Sequence, residues 1–269
     1  MSVKLYLGTH MPNWLAGSQV PLFVARKRLN LSTRKTLPVA TCPWVLDSGG
    51  YSELNPRGPG RWTITPTEYA REVRRAEEEI GNLDWAAPMD WMCEPNVLAH
   101  TGLTVREHQR RTIENFRWLR HELGAVVAPV LQGWTLDDYL LHVDDYYRFT
   151  DGLDDERIVA VGSVCRRGDD DEIVRILDRL HREGLRLHAF GVRTRALERI
   201  ADALVSADSL SWSYRARRDA NDGITPDHPH PRGAKTCSNC LVYAERWYAR
   251  EQRRLAHTRI GAAACPKRR

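Results

Sequence analysis

The sequence feature that most constrains the fold is the regular alternation of short apolar runs with longer amphipathic segments along the 269 residues. Such alternation is typical of parallel β/α units, and the number of units favours a barrel over an open sheet. Seven apolar runs have the length and composition of buried strands. They are Lys4–Gly8, Trp44–Asp47, Trp85–Asp90, Val126–Gln132, Ile158–Gly162, Leu187–Gly191 and Leu204–Ser209.

The amphipathic segments predict helices that separate these strands. Thr65 before Pro66 is typical of an N-cap followed by proline in the first turn, and Thr104 with Glu107 forms a capping-box pattern. A final helix follows the last strand and is rich in arginine. The predicted helices are Pro66–Ile80, Thr104–Leu123, Leu136–Tyr147, Asp169–Glu183, Thr194–Asp202 and Leu241–His257.

The eighth strand of a closed barrel has no clear signal in the sequence. Either the chain closes with a short or irregular strand, or the N-terminal region supplies it. We therefore expect an α/β fold of the TIM type, a (β/α)8-like barrel that forms a catalytic domain at residues 1–225. Residues 226–269, with a CxxC motif and a basic helix, are expected to form a small metal-binding segment packed on the barrel.

The net charge is only mildly basic, at +5, but the charges are unevenly distributed. Acidic pairs concentrate in the middle of the chain, whereas arginine concentrates after residue 190. Arg193, Arg215, Arg217 and Arg218 are therefore candidates for contact with a polyanion such as nucleic acid, although each is equally consistent with a solvated surface position.

Two absences in the sequence bear on location. No apolar run reaches the roughly 18 residues that a membrane-spanning helix requires. The N-terminus lacks the hydrophobic region of a secretion signal. We therefore expect a cytoplasmic protein without membrane contact.

The segment Asp47–Tyr51, with the sequence DSGGY, has the strongest signal for a functional site. A buried strand ends there in a carboxylate, and two glycines allow a sharp turn and a close approach of the backbone to a ligand. Asp and Gly are also the commonest turn residues, so the motif alone is equally consistent with a structural turn.

Polar side chains end the later predicted strands in the same way. Asp90 ends the third, Gln132 the fourth and Asp208 the seventh. Each residue also has a structural explanation: Asp90 as a helix cap, Gln132 as a partner of a loop, Asp208 in a turn. Because the carboxyl ends of barrel strands share one face, three carboxylates and an amide are expected to converge on one pocket.

These motifs, in their order, resemble the tRNA-guanine transglycosylase superfamily, and more narrowly its short branch that exchanges guanine for a 7-deazaguanine in DNA. The resemblance extends from about Leu46 to Trp247 but depends on short motifs. It implies that Asp208 is the nucleophile and that Asp47 handles protons. It further implies a purine-binding role for Ser48, Gly49, Gly50, Tyr51, Asp90, Gln132, Gly133, Gly162, Phe190 and Gly191.

The residue types suit this chemistry. Base exchange on an intact strand needs a nucleophile that holds the sugar while one base leaves and another enters, and a second acid that moves protons. A carboxylate accepts from ring and exocyclic N–H groups, and an amide both donates and accepts, so Asp90 and Gln132 suit a guanine edge. Tyr51 and Phe190 are expected to stack on the base. The target nucleotide must be flipped out or single-stranded.

The metal signal is incomplete. The superfamily uses a CxCxxC cluster and a later histidine, whereas Lys235 stands where the first cysteine would be. Cys237 and Cys240 remain, and zinc is the metal that they are expected to bind, in a structural role. His230 or His228 upstream and Cys265 or His257 downstream are candidates to complete the site.

The leading hypothesis is a transglycosylase that inserts 7-cyano-7-deazaguanine (preQ0) or a relative into DNA, with accessory DNA-modification proteins as possible partners. Two alternatives remain open: the same chemistry on tRNA, and a non-catalytic zinc-containing nucleic-acid-binding protein. The sequence Ser-Trp-Ser-Tyr-Arg after Asp208, in place of the Met-Pro-Thr-Arg-like sequence of the tRNA enzymes, favours DNA.

Overall fold

The computed structural model describes residues 3–165, 167, 170–223, 226–230 and 235–263, with side chains of the last helix described up to residue 256. Eight parallel strands form one sheet, in the order β4-β3-β2-β1-β8-β7-β6-β5. The two edges of the sheet meet at a parallel bridge between Ala86 and Val127. The strands are β1 (Lys4–Thr9), β2 (Leu22–Ala25), β3 (Trp44–Asp47), β4 (Leu83–Ala86), β5 (Val130–Leu131), β6 (Val159–Val161), β7 (Leu187–Ala189) and β8 (Leu204–Ser209).

Helices surround this curled sheet, so the predicted TIM-like α/β fold is confirmed. Thr65 and Thr135 each form a complete capping box with the acid three residues later, and Thr104 accepts from the backbone N–H of Glu107. The helices are α1 (Arg26–Leu29), α2 (Gly50–Leu54), α3 (Pro66–Arg75), α4 (Pro95–Thr101), α5 (Val105–Leu123), α6 (Leu136–Phe149), α7 (Asp170–Arg182), α8 (Thr194–Ile200), α9 (Ser211–Asn221) and α10 (Leu241–Ala263).

Strand alternation divides the core into two clusters. Leu5 and Leu7 of β1 are fully buried in the large cluster between strands and helices, whereas Tyr6 belongs to a second cluster. That second cluster contains Phe23, Val45 and Trp85 from neighbouring strands. Successive residues of a strand point to opposite faces, so the second cluster fills the barrel interior.

The structure corrects three details of the predicted strands. The strand that the sequence did not indicate is β2. It has only four residues, too few to be distinguished from the apolar residues around it. Two runs predicted to be strands contain proline, which cannot donate to a sheet ladder. Accordingly β4 ends at Ala86, before Pro88, and β5 begins at Val130, after Pro129. Asp90 therefore lies in a loop and not at a strand end.

The C-terminal segment is attached to the barrel by specific contacts. Asn239 Oδ1 lies 2.9 Å from His10 Nε2 in the loop after β1, and Tyr243 of α10 donates to Asp219 of α9 at 2.8 Å. The proposed domain boundary at residue 225 lies outside the described residues and stays a prediction. No helix in the described part of the chain is long and apolar enough to cross a membrane.

Candidate active site

A cavity of about 160 Å³ lies at the carboxyl ends of the strands, where the barrel fold predicts the site. Residues of strands β2, β3 and β8 and of the segments that follow β3, β4, β5, β6 and β7 form its walls. Nine of the residues predicted from the sequence line it: Asp47, Gly50, Tyr51, Asp90, Gln132, Gly162, Phe190, Gly191 and Asp208.

The sequence reasoning missed five residues of the cavity wall. These are Phe23, Met92, Glu94, Ser163 and Cys165. Phe23 was missed because its strand, β2, was not predicted. Glu94 was missed because the third predicted strand was expected to end at Asp90, four residues earlier. Conversely, Ser48, Gly49 and Gly133 do not line the cavity. They lie directly behind its wall: Ser48 binds Asp90, and Gly133 packs on Asp138 and Tyr139 of α6, where a Cβ would come within 2.9 Å of Asp138.

The DSGG turn brings Asp47 into the cavity. Gly49 adopts a left-handed conformation with φ of 83°, which only glycine adopts without strain. The backbone N–H of Gly49 interacts with the Asp47 carboxyl group. Burial, together with the negative charges of Asp90 and Asp208, raises the pKa of Asp47 to about 7. Asp47 is therefore able both to donate and to accept a proton near neutral pH.

A buried ionic network holds the backbone of this turn. Arg26 of α1 is only 7% exposed and donates to the Ser48 carbonyl at 3.3 Å. Its guanidinium also pairs with Glu53 at 3.0 Å and Glu72 at 3.1 Å. Because a buried arginine is stable only when its donors are matched, the network fixes the position of the turn.

Asp90 reaches the cavity because its loop is bound to one face of α5. His108, Thr112 and Asn115, spaced by four and three residues, contact the loop backbone around Asp90. His108 Nδ1 lies 2.6 Å from the Met92 carbonyl, and Asn115 donates to Met89 at the same distance. Helix α5 therefore positions Asp90 in the cavity, a role that the sequence analysis assigned to the end of a strand.

Asp90 and Gln132 lie side by side in the cavity. The Gln132 amide donates to Asp90 Oδ2 at 2.5 Å, and Ser48 donates to Asp90 Oδ1 at 2.9 Å. Burial raises the pKa of Asp90, while these two donors lower it. The two side chains present a carboxylate acceptor next to an amide donor.

Ser163 continues this arrangement on the far side of Gln132. Its hydroxyl lies 2.7 Å from Gln132 Oε1 and 2.9 Å from Glu94 Oε2. Ser163 has a left-handed backbone with φ of 54°, an uncommon conformation for a residue with a side chain. Arg167 donates to the Ser163 carbonyl at 2.8 Å, which secures this strained turn.

Asp208 is the penultimate residue of strand β8, on the opposite wall. The backbone N–H of Gly191 donates to its Oδ1 at 2.8 Å, and Nε2 of the buried His188 lies 3.5 Å from the same oxygen. His188 Nδ1 lies 2.9 Å from Ser206 Oγ. Burial lowers the pKa of His188, so the ring is neutral. With Ser206 donating to Nδ1, the remaining ring proton is on Nε2, the nitrogen nearest to Asp208.

Aromatic rings border the cavity. Phe190 stands edge-on to Phe23, with centroids 5.7 Å apart; Phe23 belongs to the interior cluster and Phe190 packs against it. Tyr51 is 43% exposed at the mouth. These rings can contact the faces of a planar ligand.

The predicted arginine cluster is partly neutralised by acids. On α9, Arg215 pairs with Asp219 at 2.9 Å and Arg218 with Asp222 at 3.8 Å. Arg193 and Arg217 are exposed without an ion pair among the described residues. On the same helix, Trp212 is fully buried and donates to the Gly8 carbonyl at 2.8 Å, whereas Tyr214 is 70% exposed.

A second basic group, not noticed in the sequence, lies on the other side of the mouth. Arg57 and Arg61 are exposed in the loop after α2 and form no ion pair within the described part of the chain. The loop is attached to the helix that carries Tyr51: Gly60 N–H donates to the Glu53 carbonyl at 2.9 Å. Gly58 packs so closely on Ser52 that a Cβ would lie 2.5 Å from its carbonyl oxygen.

Two histidines and two cysteines form a candidate metal centre. His228, His230 and Cys237 place their ligand atoms within 4.8 Å of one another. His228 Nε2 lies 3.2 Å from Cys240 Sγ, and His230 Nε2 lies 3.3 Å from Cys237 Sγ. Tetrahedral zinc bonds of about 2.0 to 2.3 Å separate neighbouring ligand atoms by roughly 3.5 Å. His228, His230 and Cys237 are grouped compactly enough for such a site, and Cys240, which contacts His228 but lies outside that group, is the candidate fourth ligand. Cys265 lies outside the described residues, as does the side chain of His257.

Comparison with known proteins identifies a family for this chain. A family model described as DpdA, DeoxyPurine in DNA protein A, matches residues 1–264. No curated protein matches. The match supports the predicted DNA branch of the transglycosylases and connects the chain with deoxypurine modification of DNA, while membership of the wider tRNA-guanine transglycosylase superfamily stays a prediction.

Solved structures show only distant similarity. The YdjI aldolase from Escherichia coli K12 is 12% identical, with a TM-score of 0.43 over 94% of this chain and 91% of its own. A zinc-bound amidohydrolase from Burkholderia ambifaria is 15% identical, with a TM-score of 0.35 over 72% of this chain and 56% of its own. A candidate isomerase from Sinorhizobium meliloti is 10% identical, with a TM-score of 0.41 over 77% of this chain. The chain spans 50% of that protein's length.

Proposed function

The chain belongs to the DpdA family, and we propose that it is a pentosyltransferase that replaces guanine in DNA with a 7-deazaguanine through a covalent aspartyl-sugar intermediate. The observation that carries this proposal is the pairing of Asp90 and Gln132, a carboxylate acceptor 2.5 Å from an amide donor, in one cavity with Asp208. The proposal gives each of these groups a role in one reaction.

Asp90 and Gln132 are proposed to read the base. The edge of guanine presents ring and amino N–H donors beside the O6 acceptor, and a 7-deazaguanine keeps that edge. Asp90 can accept from the N–H groups while the second amide proton of Gln132 donates to O6. Adenine presents an acceptor where guanine has its ring N–H, so adenine would face the Asp90 carboxylate with a lone pair. The pair therefore favours guanine-type bases.

Asp208 is proposed to attack the anomeric carbon. Gly191 donates to one of its oxygens and His188 lies beside that same oxygen, which leaves the other to form the bond to the sugar. As that bond forms, the bond between sugar and guanine breaks and its electron pair goes to the base. The covalent intermediate keeps the sugar in place during the change of base. Two inversions at the same carbon return the original stereochemistry, by analogy with retaining glycosidases.

Asp47 is proposed to carry the proton between the two half-reactions. In its neutral form it protonates the departing guanine. The resulting carboxylate then removes the proton from the ring nitrogen of the incoming base as that nitrogen displaces Asp208. No net proton is gained or lost, and a pKa of about 7 lets one group serve in both directions.

The cavity has room for a base but not for a duplex, so the target nucleotide is proposed to enter single-stranded or flipped out. Tyr51 and Phe190 are proposed to contact the faces of the base. The exposed Arg193 and Arg217 on one side of the mouth, with Arg57 and Arg61 on the other, suit the phosphates of the flanking strand.

Zinc is proposed to have a structural role at His228, His230, Cys237 and Cys240. When bound, the ion would link the segment before α10 to the turn that contacts the loop after β1 and α9. Helix α9 begins three residues after Asp208, so a loss of metal is expected to disturb the nucleophile indirectly.

Incubation of the enzyme with preQ0 and either DNA or tRNA, followed by digestion and identification of the nucleosides, tests the function. We expect incorporation into DNA only; incorporation into tRNA alone would assign the tRNA reaction. With DNA and no added base, a covalent protein–DNA adduct that resists denaturation is expected from the wild type and not from Asp208→Ala. If the wild type exchanges no base in DNA or tRNA while both forms bind DNA equally, the protein is a non-catalytic binding module.

A further inference from the structure

We propose that Glu94, in its protonated form, is a positioning residue that completes the hydrogen-bond chain through Ser163 to Gln132 and thereby holds the Gln132 amide in the orientation that favours guanine-type bases. The inference rests on the proposed function, because it concerns how the same cavity reads the base. Glu94 lines the cavity but has no role in the chemistry described above.

The hydroxyl of Ser163 decides the direction of the chain. Three polar atoms surround its oxygen: the backbone nitrogen of Cys93 at 2.8 Å, Gln132 Oε1 at 2.7 Å and Glu94 Oε2 at 2.9 Å. A hydroxyl has one proton to donate and two lone pairs. The Cys93 N–H occupies one lone pair. The single proton can go to Gln132 or to Glu94, but not to both.

The orientation of the Gln132 amide follows from its other neighbour. Asp90 Oδ2 lies 2.5 Å from the terminal nitrogen of Gln132, and a carboxylate requires a donor at that distance. The amide nitrogen therefore faces Asp90 and the amide oxygen faces Ser163. That oxygen carries no proton, so the Ser163 proton must point to Gln132.

Glu94 then has to supply the remaining proton. With the Ser163 proton directed at Gln132, only the second lone pair of the hydroxyl faces Glu94. A contact of 2.9 Å between that lone pair and a charged carboxylate would be repulsive, whereas a protonated Glu94 donates into it. Every polar atom in this series has a hydrogen-bond partner when Glu94 donates to Ser163, Ser163 donates to Gln132, and Gln132 donates to Asp90.

The charges around Glu94 favour the protonated form. Burial raises the pKa of Glu94, and Asp90 on the same loop adds to this effect, while Arg167 from the loop after β6 opposes it. Arg167 is itself paired with Glu172 at 3.1 Å and with the Ser163 carbonyl. Cys93 beside Glu94 is also buried, and burial raises the pKa of its thiol.

Deprotonation of Glu94 would break the hydrogen-bond chain at Gln132. The Ser163 proton would turn to Glu94, and Gln132 Oε1 would lose its donor. The amide nitrogen would still face Asp90, but the amide would be held at one end only, and its second N–H would be less well positioned for the O6 of guanine. Guanine affinity is therefore expected to fall as the pH rises through the pKa of Glu94.

The test compares Glu94→Gln with Glu94→Ala in guanine exchange into DNA, with KM for guanine measured from about pH 6 to about pH 9. Glutamine keeps an N–H donor toward Ser163 and cannot ionise. We expect wild-type KM to rise with pH and KM of Glu94→Gln to stay low and flat. Glu94→Ala should raise KM about tenfold at every pH, as expected for loss of a buried donor.

Ser163→Ala interrupts the same series of hydrogen bonds at a second position, so the test does not depend on the correct folding of a single variant. Because both residues act through Gln132, the effects of Glu94→Ala and Ser163→Ala on KM should be non-additive. Phe190→Leu, in the part of the wall that follows β7 and outside the hydrogen-bond chain, is the control and should combine additively with Glu94→Ala.

The inference and the proposed function can fail separately. If the wild type exchanges guanine but Glu94→Gln behaves like Glu94→Ala, or wild-type KM does not change with pH, the role of Glu94 is wrong and the function stands. If the wild type exchanges no base, the function is wrong. Calorimetric binding of free guanine at the same pH values then tests Glu94, with the same expected difference between the two variants.

Discussion

The side-chain amide of Gln132 lies directly on the α-carbon of Gly162, so a Cβ at Gly162 would fall 2.2 Å from the amide nitrogen. The amide cannot move aside without losing Asp90 and Ser163. We expect Gly162→Ala to raise KM for guanine by about tenfold or more, in line with the loss of a charge-assisted hydrogen bond. Gly17→Ala is the control, since its Cβ would meet nothing within 4 Å. Equal KM values for the two variants would contradict the role of this contact.

The raised pKa of Asp47 predicts a pH-dependent effect on stability. The folded protein holds a proton on Asp47 up to about pH 7, whereas the unfolded chain releases it near pH 3.8. The native state therefore binds more protons between these values, and the contribution of Asp47 to stability falls as the pH rises through that window. We expect Asp47→Asn to melt at a higher temperature than the wild type above pH 7, with the difference shrinking toward pH 4.

The same variant should lose base exchange at every pH, because asparagine cannot transfer the proton. Wild-type exchange should be fastest near pH 7, where both forms of Asp47 are present. An active Asp47→Asn enzyme would assign the proton transfer to another group.

His188 is expected to affect the nucleophile and not base binding. His188→Phe keeps a ring among Phe23, Trp85 and Phe190 but removes the N–H that faces Asp208. We expect kcat and the rate of covalent adduct formation to fall about tenfold or more, with KM for guanine unchanged. A change in KM with kcat intact would show that the ring only shapes the cavity.

Arg57 and Arg61 are expected to bind phosphates of the DNA strand. Each phosphate contact with single-stranded DNA contributes about −0.7 to the slope of log affinity against log salt concentration. The double variant Arg57→Ala with Arg61→Ala should therefore make this slope shallower by about 1.4. Arg117→Ala with Arg148→Ala removes the same charge from the carboxyl-terminal parts of α5 and α6, toward the opposite end of the barrel. An equal loss in both double variants would indicate only a general charge effect.

The candidate metal centre predicts about one equivalent of zinc in protein purified without chelators. Cys237→Ser or His228→Ala should lose the metal and lower the melting temperature, since the metal-bound turn contacts the loop after β1 and α9. Cys42→Ser, far from the centre in sequence and half-buried against Ser18, should keep it. Metal-free wild-type protein with an unchanged melting temperature would contradict a structural metal.

Prediction from the sequence succeeded where local chemistry determines the structure. Apolar runs bounded by Asp and Gly indicated seven of the eight strands, and the caps at Thr65 and Thr104 indicated two helix starts within one residue. Because parallel strands place their carboxyl ends on one face, the positions of Asp47, Gln132 and Asp208 in the sequence were enough to predict that they meet. The family comparison agrees with the DNA branch indicated by these motifs.

Only the tertiary structure determined which groups touch. Asp90 reaches the cavity because α5 binds its loop, a contact between segments that propensities do not encode. Glu94, Ser163 and His188 have no motif of their own; they matter because folding places them within hydrogen-bond distance of Gln132 and Asp208. The pKa of Asp47 likewise depends on burial and on carboxylates distant in sequence. The sequence therefore determined the barrel and the main groups at its mouth, whereas packing determined their protonation and partners.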